Sequence, residues 1–317
     1  MRRRSFLVNT AGFAAAIAGG FWLKDNVLWR RPRIAFASDP QWIALDQKAL
    51  PLPVIKARVM GRDVLALIDS GAQYSVIHSP LAAELMQATG ATKTFDMPMV
   101  AYGVGGQAQL GRGTTLDVTL PGVELSSLRA AILDLGPLAS SEGLGVGLII
   151  GRDVLAEVVL DLDVPRGRLR FNDPEGWMAS PDLRPMTAHI SGGDALGVEL
   201  SVEGAVVRAV VDTGASAILS LSQTTAQDAG LLDGRPEEAG QSLVLGGVSN
   251  ARWLTAETVT IGDRLRQNVR VAVYPDSPLP NYPDALLGIG AFKDQKLAID
   301  LGRGSLYVQG QLDLTVS

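Results

Sequence analysis

The chain places an aspartate directly after a stretch of apolar residues at two separate points. Residues 64–68 read Val-Leu-Ala-Leu-Ile and precede Asp69, while residues 207–211 read Val-Arg-Ala-Val-Val and precede Asp212. Short runs rich in valine, isoleucine and leucine predict β-strands. A carboxylate at the end of such a strand is costly to bury unless it has a partner or a task. The two acids are therefore the first candidates for a functional site.

The similarity between the two halves extends beyond the acids. Ser79 and Ser222 each lie ten residues after their aspartate and begin a stretch that predicts a short helix with a serine N-cap. In each half there follows a glycine-rich turn that predicts a hairpin, and then an apolar segment that ends in Gly151 or Gly288. Landmarks that recur in one order at similar spacing indicate an internal duplication.

Composition adds the fold class. Of the 317 residues, 47% are hydrophobic, and 35 glycines and 17 prolines punctuate the short predicted strands. This length is sufficient for two domains that each bury a core. We therefore expect a mostly β protein with one or two short helices in each half.

The predicted organisation has four parts. Residues 1–37 are expected to be an export signal or an N-terminal membrane anchor, and residues 39–47 a tether. The first lobe is predicted over residues 48–171 and the second over residues 189–315. Residues 172–188 are rich in proline and turn formers and interrupt the strand pattern, so we expect them to be the linker between the lobes.

The N-terminus carries a targeting pattern. Residues 3–7 read Arg-Arg-Ser-Phe-Leu, which resembles a twin-arginine export signal, and an apolar stretch over residues 7–23 follows. The alternative is a membrane anchor, because a bilayer span takes roughly 17–25 residues. We expect export to the periplasm or cell envelope, with residues 7–23 as the anchor in the second case. Ala-Phe-Ala at residues 35–37 fits a cleavage site, but three arginines separate it from the apolar stretch.

Charge and rare residues exclude several function classes. The net charge is −5 and no basic stripe lies beyond the N-terminus, so we expect no nucleic-acid partner. Cysteine is absent, which excludes thiol and disulfide chemistry. The two histidines, His78 and His189, lie at non-matching positions of the repeats, so neither a histidine triad nor a multi-histidine metal site is supported. We expect no metal and no cofactor.

The motifs as a set resemble those of the pepsin and retropepsin superfamily of aspartic proteases. Both copies read apolar-apolar-Asp-Ser/Thr-Gly, at Asp69 and at Asp212, and Gly-Leu-Ile-Ile-Gly-Arg at residues 147–152 is similar to the retroviral form of a later motif. The resemblance runs from about residue 53 to about residue 308. It implies two homologous retropepsin-like closed β-barrel or sandwich lobes related by a pseudo-twofold axis, as in single-chain, internally duplicated, bacterial-type members. It also implies a monomer that acts as a pseudo-dimer.

Two carboxyl groups offer a route to hydrolysis without a metal or a covalent nucleophile. If Asp69 and Asp212 meet, both cannot stay ionised, so one pKa rises and the pair shares a proton. The ionised member takes a proton from a water molecule, and the protonated member hydrogen-bonds the scissile carbonyl. The predicted activity is that of an aspartic endopeptidase acting on a polypeptide in an extended conformation.

The neighbours of the acids have supporting roles in this interpretation. Gly71 and Gly214 permit the tight turn that exposes each acid. The resemblance implies that Ser70 and Thr213 hydrogen-bond across the lobe interface and orient the carboxylates.

A second set of residues is predicted to lie beneath the acids. Gly151 and Gly288 would let the strands cross under each active turn. In the retroviral enzymes, the arginine after this glycine pairs with an acid two residues past the active-site glycine. Here a glutamine and a serine hold those positions. Arg152 therefore needs another partner, either Asp153 or an acid of the other lobe, or else it is solvated.

The glycine-rich hairpins are candidate flaps that close over a cleft. The candidate flap and substrate residues are Tyr102, Gly103, Gly105, Leu245 and Gly246. Tyr102 aligns with Leu245, so only one flap would carry an aromatic cap for the substrate. The alternative is a pair of ordinary hairpin turns.

Two alternatives to a general endopeptidase remain. One is a catalytically silent, protease-like module whose cleft binds peptide or envelope glycan. Such a module has no need of both acids, both hydroxyl neighbours and both glycines, so the sequence favours the enzyme. The other alternative is a regulatory protease that cuts one partner protein at one site, which the sequence does not distinguish from general proteolysis.

Overall fold

The computed structural model describes residues 29–89, 94–101, 109–244, 247–277 and 282–310. Strands account for 51% of the chain, so the expected mostly β class is confirmed. None of the helices in these ranges is long and apolar enough to cross a membrane.

The first half of the chain supplies one complete set of elements. Its strands are β1 (Arg33–Phe36), β2 (Ile43–Ala44), β3 (Val54–Val59), β4 (Arg62–Ile68), β5 (Val76–His78), β6 (Thr94–Ala101), β7 (Gln109–Leu120), β8 (Val123–Leu133), β9 (Val146–Ile150), β10 (Val159–Asp163) and β11 (Arg168–Asn172). Its α-helices are α1 (Ser79–Thr89) and α2 (Arg152–Leu155).

The second half repeats this set. Its strands are β12 (Leu183–Met186), β13 (Ala188–Ser191), β14 (Ala195–Val202), β15 (Ala205–Asp212), β16 (Leu219–Ser222), β17 (Glu238–Val244), β18 (Gly247–Ile261), β19 (Arg264–Tyr274), β20 (Ala285–Gly288), β21 (Lys296–Asp300) and β22 (Ser305–Gln309). Helix α3 (Gln223–Asp228) follows β16. The Ser222 hydroxyl accepts the Thr225 N–H at 3.1 Å, so the predicted N-cap of this helix is confirmed.

Each half closes into a six-stranded barrel. In the first lobe the order is β8-β5-β9-β4-β3-β7, and β7 pairs back to β8. In the second lobe the order is β14-β15-β20-β16-β19-β18, and β18 pairs back to β14. The predicted fold of two homologous, retropepsin-like closed lobes is therefore confirmed.

The turns that enter the two active strands show the same duplication. Met60 and Gly61 connect β3 to β4 with φ of 49° and 87°, and Glu203 and Gly204 connect β14 to β15 with φ of 50° and 90°. Positive φ at both central residues is the requirement of a type I′ hairpin turn, whose twist matches that of the strands. The repeat thus extends to backbone conformation.

A third sheet joins the lobes. Its order is β12-β22-β21-β10-β11-β2, and all its pairs are antiparallel. The central pair joins β10 of the first lobe to β21 of the second, with Leu160 opposite Ile299 and both side chains buried. Because backbone hydrogen bonds cross from one lobe to the other, the two barrels have a fixed mutual orientation at this sheet.

The structure adds strand pairings to three of the predicted segments. Residues 39–47 are not a free tether, because Ile43 and Ala44 pair with β11 and Leu45 is buried. The linker over residues 172–188 contains β12, which pairs with β22 in the joining sheet. Within the segment 1–37, residues 33–36 form β1 and pair with β8, so this part belongs to the first lobe. Most of the predicted export signal lies outside the described residues.

Candidate active site

Parallel strand pairs position the two acids. Strand β4 ends just before Asp69, whose N–H donates to the carbonyl of Ile150 at 2.9 Å. Strand β15 ends on Asp212, which lies opposite Gly288 of the parallel strand β20. Both aspartates are fully buried, with 0% of their surface exposed. Each acid therefore stands at the same point of an equivalent barrel.

Each carboxylate is fixed by the turn that follows it. Asp69 Oδ1 accepts the N–H groups of Gly71 at 2.8 Å and Ala72 at 3.1 Å, and Asp212 Oδ1 accepts the N–H of Gly214 at 2.8 Å. Such turns are typical of aspartate before glycine. In contrast, Oδ2 of each acid is buried and has no hydrogen-bond partner in the described part of the chain. The turn therefore fixes Oδ1 of each acid, whereas Oδ2 forms no hydrogen bond with the described part of the chain.

Two hydroxyl residues lock the turns together across the interface. The Ser70 N–H donates to Thr213 Oγ1 at 2.9 Å, and the Thr213 N–H donates to Ser70 Oγ at 3.0 Å. The Ser70 hydroxyl donates in turn to the carbonyl of Val211 at 2.8 Å, and the Thr213 hydroxyl to that of Ile68 at 2.7 Å. These four bonds are related by the pseudo-twofold axis and connect the backbones that carry the acids.

The turn of the first lobe and the acid of the second lobe are in direct contact. A Cβ atom added to Gly71 would lie 2.5 Å from Cγ of Asp212, closer than any side-chain carbon can approach. The carboxyl groups of Asp69 and Asp212 are near enough to hydrogen-bond each other when one is protonated. The two predicted acids therefore form a buried pair at the lobe interface.

Burial dominates the electrostatics of this pair. It raises the pKa of Asp69 well above its ordinary value, and the charge of Asp212 raises it further. Burial also raises the pKa of Asp212, to about 6, against the opposing effects of the Asp69 hydrogen bond and the charge of Arg152. The pair therefore retains one proton at a pH where isolated carboxyl groups have lost theirs.

Close backbone packing supports both turns from beneath. A Cβ atom on Gly151 would lie 2.6 Å from the carbonyl carbon of Tyr74, and one on Gly288 would lie 2.2 Å from the carbonyl oxygen of Ala217. The structure thus places Gly151 and Gly288 where only glycine allows the strands to cross.

Arg152 is neither solvated nor paired with an acid. It is 8% exposed, and its Nη1 donates to the carbonyls of Ser70 at 3.1 Å and Gly71 at 2.9 Å. No ion pair joins it to Asp153 or to an acid of the other lobe within the described residues. In place of the expected acid, two carbonyl oxygens of the active turn accept from Nη1, while Nε is buried without a partner in the described ranges.

The predicted flap tips lie outside the described residues. This applies to Tyr102, Gly103, Gly105, Leu245 and Gly246. The strands that lead to them are described: β6 pairs with β7, and β17 pairs with β18 up to Val244 opposite Gly247. The role of the hairpins as flaps stays a prediction.

A tyrosine that the sequence motifs did not single out lies near the dyad. The Tyr282 hydroxyl is buried without a hydrogen-bond partner in the described part of the chain, and the residue packs against the buried cluster that includes Ala215 and Ala217. Burial raises the pKa of this phenol above its usual value, and the charge of Asp212 adds to the shift. Aromatic residues make up only 5% of the chain. A tyrosine six residues before the crossing Gly288 could therefore have been chosen from the sequence as a candidate site residue.

The acids elsewhere in the described ranges do not form a metal centre. No group of three or more histidine, aspartate or glutamate side chains suited to a metal ion occurs there. His78 accepts the N–H of Leu135 at 3.2 Å through Nδ1, beside the start of α1.

The fold and site define a two-lobed β-barrel protein with one carboxyl group from each lobe buried at the interface. A family model described as aspartyl protease matches residues 55–154 and residues 198–291, once in each lobe and over more than half of the chain. The chain belongs to the aspartyl protease family, and its two matches show the duplication.

Among solved structures, a retropepsin-like aspartic protease from Rickettsia conorii matches at 21% identity, over 42% of this chain and 95% of that chain, with a TM-score of 0.30. A search of curated proteins gives no match.

Proposed function

We propose that this protein is an aspartic endopeptidase in which Asp69 and Asp212 activate a water molecule. The observation that carries the proposal is a pair of fully buried acids, one from each lobe, whose turns are hydrogen-bonded to each other at the interface. Each acid is fixed by its own turn through Oδ1, so its Oδ2 lies outside the backbone hydrogen bonds. Two carboxyl groups held in this way can share a proton and hold a water and a substrate carbonyl.

The shared proton assigns a role to each acid. The two acids share one proton, so one member of the pair is ionised while the other is protonated. The ionised member takes one proton from the attacking water, and the protonated member donates a hydrogen bond to the scissile carbonyl as its oxygen gains charge. A proton then passes to the amide nitrogen as the C–N bond breaks. This division applies to the pair at the moment of attack.

The substrate is an extended polypeptide that binds across the lobe interface. Because one chain supplies both carboxyl groups and the joining sheet fixes the lobes, a monomer contains the whole site. The hairpins that end β6 and β17 would close over the bound peptide and exclude water.

Replacing either acid by its amide tests this proposal. We predict that Asp69→Asn and Asp212→Asn each abolish hydrolysis of casein, used as an unfolded polypeptide probe, and that the double variant is no worse, because each acid works only with the other. Asp63→Asn, at an exposed acid of the same strand β4, is the matched control and should keep the parent rate. A peptide bearing a non-cleavable hydroxyl should inhibit the parent.

The outcome separates the proposal from its alternative. A folded Asp212→Asn protein that cleaves casein at the parent rate would exclude two-carboxylate catalysis. Binding of peptide or envelope glycan by a parent that cleaves nothing would favour the silent module.

We also propose that the protein is exported to the periplasm or cell envelope, either by a twin-arginine signal or through an anchor at residues 7–23. The support is the sequence pattern at residues 3–7. Changing Arg3 and Arg4 to lysine keeps the charge but should leave the protein in the cytoplasm. Unchanged envelope localisation of that variant would exclude twin-arginine recognition and favour a plain anchor.

A further inference from the structure

Trp29 lies just beyond the predicted apolar leader, and yet it is part of the first lobe. Its side chain is 7% exposed, and its ring packs on Tyr74 with the ring centroids 4.4 Å apart. Two further contacts secure the same segment, since Arg31 forms an ion pair with Glu157 and strand β1 pairs with β8. The segment that begins at residue 29 therefore packs against the first lobe.

Trp29 also supplies a hydrogen bond to a buried acid. Its Nε1–H donates to Asp153 Oδ2 at 3.0 Å, and the Ser75 hydroxyl donates to Oδ1 at 2.8 Å. Asp153 is 7% exposed and forms no ion pair in the described ranges. Burial raises the pKa of Asp153 to about 6, and these two hydrogen bonds limit the rise. The backbone N–H groups of Ser75 and Val154 also lower the pKa of this acid, so Trp29 and Ser75 supply its side-chain donors and not its whole hydrogen bonding. Loss of the indole N–H would remove the side-chain donor of Oδ2.

These contacts lead directly to the active turn. The Ser75 hydroxyl accepts the N–H of Gly151 at 3.2 Å, at the point where the strand crosses beneath the turn. The next residue, Arg152, donates to the carbonyls of Ser70 and Gly71. A continuous series of hydrogen bonds and covalent neighbours thus connects the indole of Trp29 to the backbone that carries the first catalytic acid.

The second lobe has no counterpart of this connection. Where the first lobe has Arg152 and Asp153 after the crossing glycine, the second has Ile289 and Gly290. A Cβ atom on Gly290 would lie 2.3 Å from the carbonyl oxygen of Ser216, so the backbones pack directly there. The buried acid, its serine and the tryptophan are therefore an addition to the first lobe and not a requirement of the fold.

We propose that Trp29 is a positioning residue of the active site, which holds the turn of Asp69 in place through Asp153 and Ser75. The inference rests on the proposed endopeptidase function. Trp29 touches neither the dyad nor the cleft and acts only through this connection. The active protein must then retain residue 29, so any removal of the leader takes place before it.

Kinetics of conservative variants test the positioning role. Trp29→Phe keeps an aromatic ring on Tyr74 but removes the N–H. We expect kcat on casein-derived peptide to fall on the order of 10-fold with KM unchanged, because a displaced catalytic group slows the reaction without altering the cleft. Asp153→Asn should give the same fall. The double variant should be no slower than either single variant, since both remove the same link.

A second tryptophan provides a matched control, because its replacement by phenylalanine also removes an indole but leaves the hydrogen bond to Asp153 intact. Trp177 packs edge-on against Tyr307 at 5.3 Å, on a sheet away from the active turns. Trp177→Phe should leave kcat at the parent value. Thermal unfolding of every variant confirms that it is folded at the assay temperature. If Asp153→Asn does not fold, Ser75→Ala removes the next hydrogen bond and must show the same loss of kcat.

Two results would overturn the inference. One is the parent kcat in both Trp29→Phe and Asp153→Asn, and the other is a double variant whose losses multiply. Either result, with Asp212→Asn inactive, leaves the endopeptidase standing and removes only the role of Trp29. An Asp212→Asn protein as active as the parent would instead remove the proposed function itself.

Discussion

At the scale of single residues, a serine and a threonine form equivalent hydrogen bonds across the lobe interface. Ser70 and Thr213 differ by a methyl group, and each uses its backbone N–H and its hydroxyl to reach the opposite turn. This role is predictable only from the family resemblance, because no local pattern reveals a partner 143 positions away. The bond distances now give the role a physical basis in this chain.

A glycine at the interface provides a sharp test of the proposed dyad geometry. In Gly71→Ala the new Cβ would meet the Asp212 carboxyl group at 2.5–2.7 Å. We expect activity to fall by about 100-fold and stability to fall by about 1–3 kcal/mol, because the acid or the turn must shift to relieve the overlap. Casein hydrolysis and thermal unfolding measure the two effects.

Gly176→Ala is the control for this substitution. A Cβ atom there has no neighbour within 4 Å and the backbone does not require glycine, so the variant should behave like the parent. Parent-like activity in Gly71→Ala would mean that Asp212 can move aside freely, which is incompatible with a tightly held pair.

At the scale of elements, local patterns were sufficient where neighbours in sequence are neighbours in space. The strand before each acid, the helix that begins at Ser79 and the helix capped by Ser222 were predictable, because their signals lie within about ten residues. Strands β1 and β2 were not, since they are stabilised by partners far away in the chain. Ile34 pairs with Leu125, and Ile43 with Leu169. Short segments of this kind look like linkers until the partner strand is known.

Arg152 shows a different limit of sequence reasoning. Its partners are the backbone carbonyls of Ser70 and Gly71, and a carbonyl carries no signature in sequence. A buried cation is usually paired with an acid, but here the tight turn already presents two acceptors to it. A guanidinium has five donors in a fixed fork and suits such a pair of oxygens.

At the scale of the whole molecule, the duplicated fold carries an asymmetric site. The barrels, the turns and the interface bonds obey the pseudo-twofold axis, whereas Arg152, Asp153 and Trp29 belong to the first lobe alone. A dimer of identical chains presents two equivalent acids. Here the Arg152 cation lies on the turn of the first lobe only, so the surroundings of the two carboxyl groups differ.

The same buried acids set the dependence of stability on pH. The folded-state pKa values of Asp69, Asp153 and Asp212 are all raised above the ordinary value of 3.8, to about 6 for Asp153 and Asp212. For such groups the folded state binds protons more tightly than the unfolded state. Their contribution to stability is therefore fully present below the unfolded pKa and is lost as the pH rises through the folded one.

We thus predict that the free energy of unfolding falls between about pH 4 and about pH 7, and that hydrolysis fails on the same alkaline side as the dyad loses its shared proton. Acids with lowered pKa values, such as Asp182 and Glu203, act in the opposite sense and only at lower pH.

Asp212→Asn removes one of the acids with a raised pKa, so the unfolding free energy of this variant should decline less steeply over this range. Asp63→Asn should keep the parent slope. A parent slope in Asp212→Asn, measured by denaturant titration at several pH values, would show that the dyad does not share a proton as the buried geometry requires.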